Sequence, residues 1–209
     1  NAGDRTGSAV ITVNPRPTSV VNGTTAICNG SVTVIQAALT GIGPWTVTWS
    51  DGFVQSTNAP LGGGVVATRL VSTNNPLANL PTNYTYTVTA LAEANCVANA
   101  GDRTGLAVLT INPRPTSSLL SADTAICNGD PFTLTNRLTG IGPWIISWSD
   151  GTRQTNSSAP FGPVTNTYTL VQTNALYPSN PNAATNILVS YAVTNLVTTN
   201  TCAGDLVGT

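Results

Sequence analysis

The stretch Leu39-Thr-Gly-Ile-Gly-Pro-Trp-Thr-Val-Thr-Trp-Ser-Asp-Gly52 returns almost intact as Leu138-Thr-Gly-Ile-Gly-Pro-Trp-Ile-Ile-Ser-Trp-Ser-Asp-Gly151, and all 4 tryptophans lie inside these two copies. Repetition on this scale constrains the architecture before any single residue does: the chain folds as two copies of one unit. In each copy Trp45, Val47 and Trp49, or Trp144, Ile146 and Trp148, alternate with Thr46 and Thr48, or Ile145 and Ser147. That is the period of a strand with one buried face. Gly-Pro opens the strand and Ser-Asp-Gly closes it with turn chemistry. Each copy therefore reads as the central strand of a small β domain.

A second repetition brackets the first. Asn1 to Val13 match Asn99 to Ile111, and both are followed by Asn-Pro-Arg-Pro-Thr, at Asn14 and at Asn112. Val10 and Thr12 alternating with Ile11 and Val13 predict a terminal strand, and the two prolines after it make a stiff joint. Further strands are predicted over 18–21, 31–39, 45–50, 53–56, 64–72, 83–91 and 103–112, and in repeat two over 131–138, 144–149, 164–172 and 187–196. Along 83–91, Tyr84, Tyr86, Val88 and Ala90 should share one face and Asn83, Thr85, Thr87 and Thr89 the other. The cysteines of repeat two, Cys127 and Cys202, are 75 positions apart against 68 for Cys28 and Cys96. The seven extra residues belong in a surface loop around Tyr177-Pro-Ser-Asn-Pro-Asn182. No segment has a helical period, and short strands at this spacing indicate an all-β chain of two sandwiches.

The repeats are out of phase with the chain. Ala203-Gly-Asp-Leu-Val-Gly208 corresponds to Ala100-Gly-Asp-Arg-Thr-Gly105, where the last strand of repeat one begins. The expected organisation is a last strand plus linker at 1–15 belonging to a preceding or neighbouring domain, a first domain at 16–112, and a second at 113–209 lacking its own last strand. Two accounts follow. The chain is a window of a longer tandem array, or the N-terminal strand of one molecule completes the second domain of the next in a head-to-tail fibre. On both, the partner is another copy of the same unit.

Composition narrows the class. Charged residues make up 7%, the net charge is −1, and all 7 cations are arginine. Seven scattered arginines balanced by 8 acids form no basic face, so nucleic acid is not expected as a partner. No run approaches the ~18 apolar residues of a membrane-spanning helix. Regular apolar alternation argues against disorder. Four cysteines allow three pairings. Only Cys28–Cys96 with Cys127–Cys202 keeps each bridge within one repeat, and this is the expected pairing, with four reduced thiols as the alternative. Bridges would place the protein outside the reducing cytosol.

The order Ile-Cys-Asn-Gly, a strand, Thr-Gly-Ile-Gly-Pro-Trp, Trp-Ser-Asp-Gly, Tyr-Thr-Val-Thr, Cys and a closing Ala-Val-Leu-Thr-Ile-Asn-Pro resembles bacterial Ig-like repeats of the PKD-like type. These occur in tandem in large secreted surface proteins. The resemblance covers essentially the whole chain, twice. It implies two Ig-like sandwiches, a bridge between the Cys28 and Cys96 positions, core roles for Trp49 and Trp148, and no catalytic site. Leu206-Val207 in place of Arg103-Thr104 departs from the pattern at the closing strand of repeat two.

The residues themselves offer little chemistry. With no histidine and no clustered thiols, hydrolytic triads and zinc sites in their common forms are excluded. Asp51, Asp150, Asp4, Asp102 and Asp205 sit in Ser-Asp-Gly or Gly-Asp turns, and no Asp-x-Asp-x-Asp run marks a calcium loop. No cofactor or metal is expected. The Trp strands read as core rather than as a sugar-binding platform. Arg16 and Arg114 should pair locally at the joints, and Asp4–Arg5 and Asp102–Arg103 should form exposed pairs. Asn22, Asn29, Asn83 and Asn156 head Asn-x-Ser/Thr triplets and are candidate glycan acceptors. The function that fits is a non-enzymatic, extracellular structural protein: a building block of a surface filament or stalk of disulfide-stapled Ig-like domains joined head to tail. The alternatives are an adhesin that binds carbohydrate or a cell surface through its loops, and a spacer module of a larger secreted enzyme.

Overall fold

The computed structural model describes residues 7–58, 64–171, 188–199 and 202–207. In repeat one the strands are β1 (Thr18–Asn22), β2 (Thr25–Cys28), β3 (Thr33–Thr40), β4 (Trp45–Trp49), β5 (Val54–Thr57), β6 (Val65–Val71), β7 (Thr82–Tyr86), β8 (Val88–Ala92), β9 (Arg103–Gly105) and β10 (Ala107–Asn112). In repeat two they are β11 (Thr116–Leu119), β12 (Pro131–Leu138), β13 (Trp144–Trp148), β14 (Arg153–Asn156), β15 (Val164–Val171), β16 (Val193–Thr198) and β17 (Asp205–Val207). The sheets run β6-β3-β1-β9, β5-β4-β8 and β2-β10-β7 in repeat one, and β15-β12-β11-β17 and β14-β13-β16 in repeat two. The fold is all-β and Ig-like, with the strands of repeat one divided among three sheets and those of repeat two between two. By its contacts the chain divides into one unit of residues 1–25, 32–71 and 84–109 and another of residues 26–31, 72–83 and 110–209.

In the first unit the core forms where two alternations meet. β3 turns Ile35, Ala37 and Leu39 inward and β4 turns in Trp45, Val47 and Trp49, all at most 1% exposed. The Gly-Pro-Trp motif has a packing explanation. A Cβ on Gly43 would lie 2.3 Å from the Trp45 ring, so only glycine lets the loop fold over the indole. Trp45 Nε1 then donates to the Thr40 carbonyl at 3.1 Å, which satisfies the one polar atom of a buried ring. At the opposite end of β4 the Asp51 carboxylate accepts two hydrogen bonds from the Arg69 guanidinium, one of them 2.6 Å long. Arg69 in turn lies over the Phe53 ring, 4.2 Å from its centroid. This ion pair holds the Asp51 carboxyl below the usual carboxylate range.

The second unit repeats this plan with different side chains. Leu134, Leu138, Trp144, Ile146, Trp148, Leu170 and Leu196 form one cluster drawn from both sheets. A Cβ on Gly142 would lie 2.4 Å from the Trp144 ring, and Trp144 Nε1 donates to the Thr139 carbonyl at 2.7 Å. Tyr168 takes the position of Arg69: its hydroxyl donates to Asp150 at 2.6 Å and its ring stacks on Trp148 at 5.2 Å. That hydrogen bond lowers the Asp150 pKa and raises that of Tyr168. The register β12–β15 sets Asn136 against Asn166, where β3–β6 sets Ala37 against Ala67. The amides are satisfied internally: Asn136 donates to Ser117 Oγ at 2.8 Å, and Asn166 donates to Asn136 Oδ1 at 3.0 Å.

Several sequence expectations need correction. The strand expected over 83–91 is two strands, and Ala90 is exposed while Leu91 is buried. The cause is a bulge. Opposite β4, Trp49 pairs with Val88 and Thr48 with Ala90, so Thr89 is the extra residue and the alternation flips beyond it. Thr89 Oγ1 donates to the carbonyls of Thr48 and Trp49, and Thr194 repeats this arrangement against Ser147 and Trp148. The strand expected over 103–112 breaks at Leu106, after Gly105. That glycine has φ +76° and lies so close to β1 that a Cβ would fall 2.3 Å from the Val21 carbonyl oxygen. Residues 7–17 are in no strand of the single molecule, and the strand expected there is one that another domain would pair. Arg16 pairs with Asp102 at 3.1 Å. The loop placed around Tyr177–Asn182 and the Asp4–Arg5 pair lie outside the described residues.

Candidate strand-docking groove

The groove lies in repeat two, beside counterparts of the strands that flank β10 in repeat one. In repeat one, β10 lies between β2 and β7 and turns Ala107, Leu109 and Ile111 inward, each 0% exposed. In repeat two the counterpart of β2 is Thr124–Cys127, and the counterpart of β7 is the stretch that ends at Tyr191. Among their described residues neither forms a strand. A groove of about 560 Å³ touches the first at Thr124 and the second along Leu188–Tyr191, and is also lined by Leu119, Ser121–Asp123, Phe132 and Leu134. Apolar side chains line it: Leu188 is 98% exposed and Val189 50%. Burial against this lining raises the Tyr191 pKa. The register of β17 on β11, with Ser117 opposite Leu206, reproduces that of β9 on β1, with Ser19 opposite Arg103. The framework on the β11 side is therefore already formed.

Residues 8–13, Ser-Ala-Val-Ile-Thr-Val, repeat residues 106–111 of the strand that fills the equivalent position in repeat one, Leu-Ala-Val-Leu-Thr-Ile. In one molecule they lie open, with Val10, Ile11 and Val13 at 90%, 85% and 87% exposure. Three large apolar side chains at alternating and adjacent positions thus stand exposed in a segment that is in no strand, its backbone open to pairing.

The cysteines fall differently from the expected pairing. The bridge joins Cys28 to Cys202, with Cα atoms 5.6 Å apart, and Cys96 and Cys127 are free. The reason lies in the neighbours of Cys28. Asn29 N–H donates to the Asn112 carbonyl at 2.8 Å and Arg114 Nε donates to the Asn29 carbonyl at 2.8 Å. These bonds hold the end of β2 beside the start of repeat two, in the same unit as Cys202. Cys96 instead turns its thiol to the Asn14 carbonyl at 3.9 Å. A loop of 174 residues contributes roughly 5 kcal/mol on the chain-entropy model.

The acceptor triplets separate by geometry. Asn22 is exposed at the end of β1, and Asn83 is exposed with its Oδ1 accepting from Thr110. Asn29 is engaged on both sides by Asn75, and Asn156 donates its Nδ2 to Asn166 at 3.1 Å. Asn75, 6% exposed and not singled out in the sequence, is the polar centre of this region. Its Nδ2 donates to the carbonyls of Leu80 and Ile111, and its Oδ1 accepts from Leu77 N and Thr82 Oγ1. Its only sequence signal is Asn before Pro76, a turn-forming pair. The four Trp rings are buried, at 2% exposure or less. Among the described residues no group of three or more Cys, Asp or Glu could hold a metal, and no helix is long and apolar enough to cross a membrane.

No family model matches the chain, and no curated protein does. Among solved structures it is similar to an I-band fragment of titin, at 14% identity and a TM-score of 0.46, over 91% of this chain and 64% of that one. A glutamate-to-alanine variant of a three-Ig titin fragment gives the same figures. The N-terminal four Ig domains of Dscam1 align at 13% identity and a TM-score of 0.36, over 94% of this chain and 46% of that one. The chain thus spans less than two thirds of each of these structures.

Proposed function

We propose that the protein is a non-enzymatic, extracellular structural subunit, of the kind of PKD-like surface repeats, that assembles head to tail into a filament. Residues 8–13 of one copy enter the groove of repeat two of the next and act there as β10 acts in repeat one. The observation that carries this reading is the match between segment and slot: the groove is lined by Thr124, where the counterpart of β2 begins, and by 188–191 of the counterpart of β7, and the open segment repeats the sequence of β10. Ala9, Ile11 and Val13 would take the inward positions of Ala107, Leu109 and Ile111. The inserted backbone would supply ladder partners on both sides, turning residues 124–127 and 188–191 into strands. A heterologous contact of this kind does not close on itself, so it propagates. The near-neutral surface gains hydration from glycans, for which the open Asn22 and Asn83 are better acceptors than the engaged Asn29 and Asn156.

Electron microscopy of the full chain against a variant lacking residues 1–13 tests the reading. Filaments are expected from the full chain, and dispersed molecules with an intact first repeat from the variant. Equal filaments from both would overturn it. So would a monodisperse monomer in which amides 188–191 exchange slowly, because the groove would then be filled from within the same chain.

A further inference from the structure

The bridge follows a rule when written in repeats. Cys28 is the first cysteine of repeat one and Cys202 the second of repeat two, so the first cysteine of a repeat bonds the second cysteine of the repeat that follows. Applied one step further along a head-to-tail polymer, the rule pairs the first cysteine of repeat two, Cys127, with the second cysteine of repeat one in the next copy, Cys96. These are the two cysteines that are free in the molecule. We propose that consecutive copies are joined covalently by a disulfide between Cys127 of one and Cys96 of the next. The inference rests on the head-to-tail reading above.

The positions agree with the rule. Asn29, next to Cys28, donates its N–H to the carbonyl of Asn112, the last residue of β10. The end of that strand and the bridged sulfurs therefore lie together. The counterpart of Asn112 is Asn14, and the counterpart of Asn29 is Asn128. Within one molecule the Cys96 thiol already lies against the Asn14 carbonyl, 3.9 Å away. A donated segment whose Asn14 reaches Asn128 thus brings its own Cys96 to Cys127. Cys127 is exposed, three positions after the groove-lining Thr124, and Cys96 is half-buried. This orders the chemistry: the open thiol reacts first and the covered one closes the bond after docking.

Closure is a two-electron oxidation, and a small disulfide RSSR balances it. The Cys127 thiolate attacks RSSR, forming a mixed disulfide and releasing RS⁻. The Cys96 thiolate of the docked copy then attacks the Cys127 sulfur and expels the second RS⁻. The two protons lost by the protein thiols end on two molecules of RSH.

The test assembles the full chain with oxidised glutathione and reads the products on non-reducing denaturing gels, with disulfide-linked peptides mapped by mass spectrometry. The wild type should give a ladder of covalent multimers that reductant collapses to monomer. C127S and C96S should each run as monomers yet still form filaments by electron microscopy. An equimolar mixture of the two variants should give covalent dimers and nothing longer, because each supplies one half of a single joint. A ladder from either variant alone overturns the proposal, as does mapping Cys28–Cys96 or Cys127–Cys202 as the bonds. Oxidised filaments in which Cys96 and Cys127 remain open to alkylation after denaturation sink the covalent joint and leave the head-to-tail reading standing. Absence of filaments from every sample removes both.

Discussion

Replacing Ile11 with alanine separates docking from mere exposure. In the isolated molecule Val10 and Ile11 are equally open, at 90% and 85% exposure, so trimming either leaves its fold untouched. Docking breaks that equivalence. Ile11 takes the position of Leu109, which is 0% exposed, while Val10 takes that of Val108, which is only half-buried. Shortening a fully buried isoleucine to alanine costs about 3 kcal/mol. At about 1.4 kcal/mol per tenfold, that weakens each junction by roughly two orders of magnitude. Shortening Val10 at a half-covered position costs below about 1 kcal/mol, which is less than about fivefold. The critical concentration for assembly, measured by pelleting a dilution series, reports the difference directly. Equal shifts for the two variants, or a larger one for Val10→Ala, would refute the register and with it the assignment of Ile11 to the inward face.

Other consequences are local. Gly142→Ala places a Cβ 2.4 Å from the buried Trp144 ring and should cost about 2–3 kcal/mol, whereas Gly101→Ala, with nothing within 4 Å, should leave the thermal midpoint unchanged. Asn136→Ala or Asn166→Ala alone strands a buried partner and should cost about 1–3 kcal/mol. The double variant, which recreates the Ala37–Ala67 pair of repeat one, should cost less than the sum, and additive losses in a denaturant series would contradict the network. The Asp51 carboxyl is lowered first by its hydrogen bonds to Arg69, so its contribution is present above the ordinary carboxylate pKa and fades as pH falls through the lowered value. Acid titration of Asp51→Asn should therefore match the wild type in shape at neutral pH and lose this part of the dependence below about pH 4.

The fold was legible wherever a residue's role follows from its own strand. Trp45 to Trp49 and Trp144 to Trp148 show their buried face by alternation alone, and the repeat located both sandwiches. Legibility failed where the cause sits on a neighbouring strand. Thr89 looks like any outward threonine, and only its pairing against Thr48 and Trp49 reveals the bulge that moves Ala90 out and Leu91 in. Likewise nothing in Asp-Arg-Thr-Gly announces that Gly105 presses on Val21 and ends β9. The cysteine pairing failed for a related reason. Counting within repeats ignores which strand ends converge, and Asn29, Asn112 and Arg114 decide that. The candidate groove was half legible: the repeat shows which residues of repeat two correspond to the neighbours of β10, but Leu188 and Val189 carry no pattern that marks them as its wall.

For a pull applied outside its two ends, the Cys28–Cys202 bond also sets the path of tension. A pull applied upstream of Cys28 and downstream of Cys202 crosses from one sulfur to the other and bypasses the residues between. The 174-residue separation hides on the order of 600 Å of extensible chain, at about 3.5 Å per residue. All four tryptophans lie within this shielded span, so force alone should not extend the chain that carries them while the bond holds. Reduction turns an inextensible element into one with a long reserve of slack. A single covalent bond thus decides whether the molecule behaves under load as a rope or as a spring.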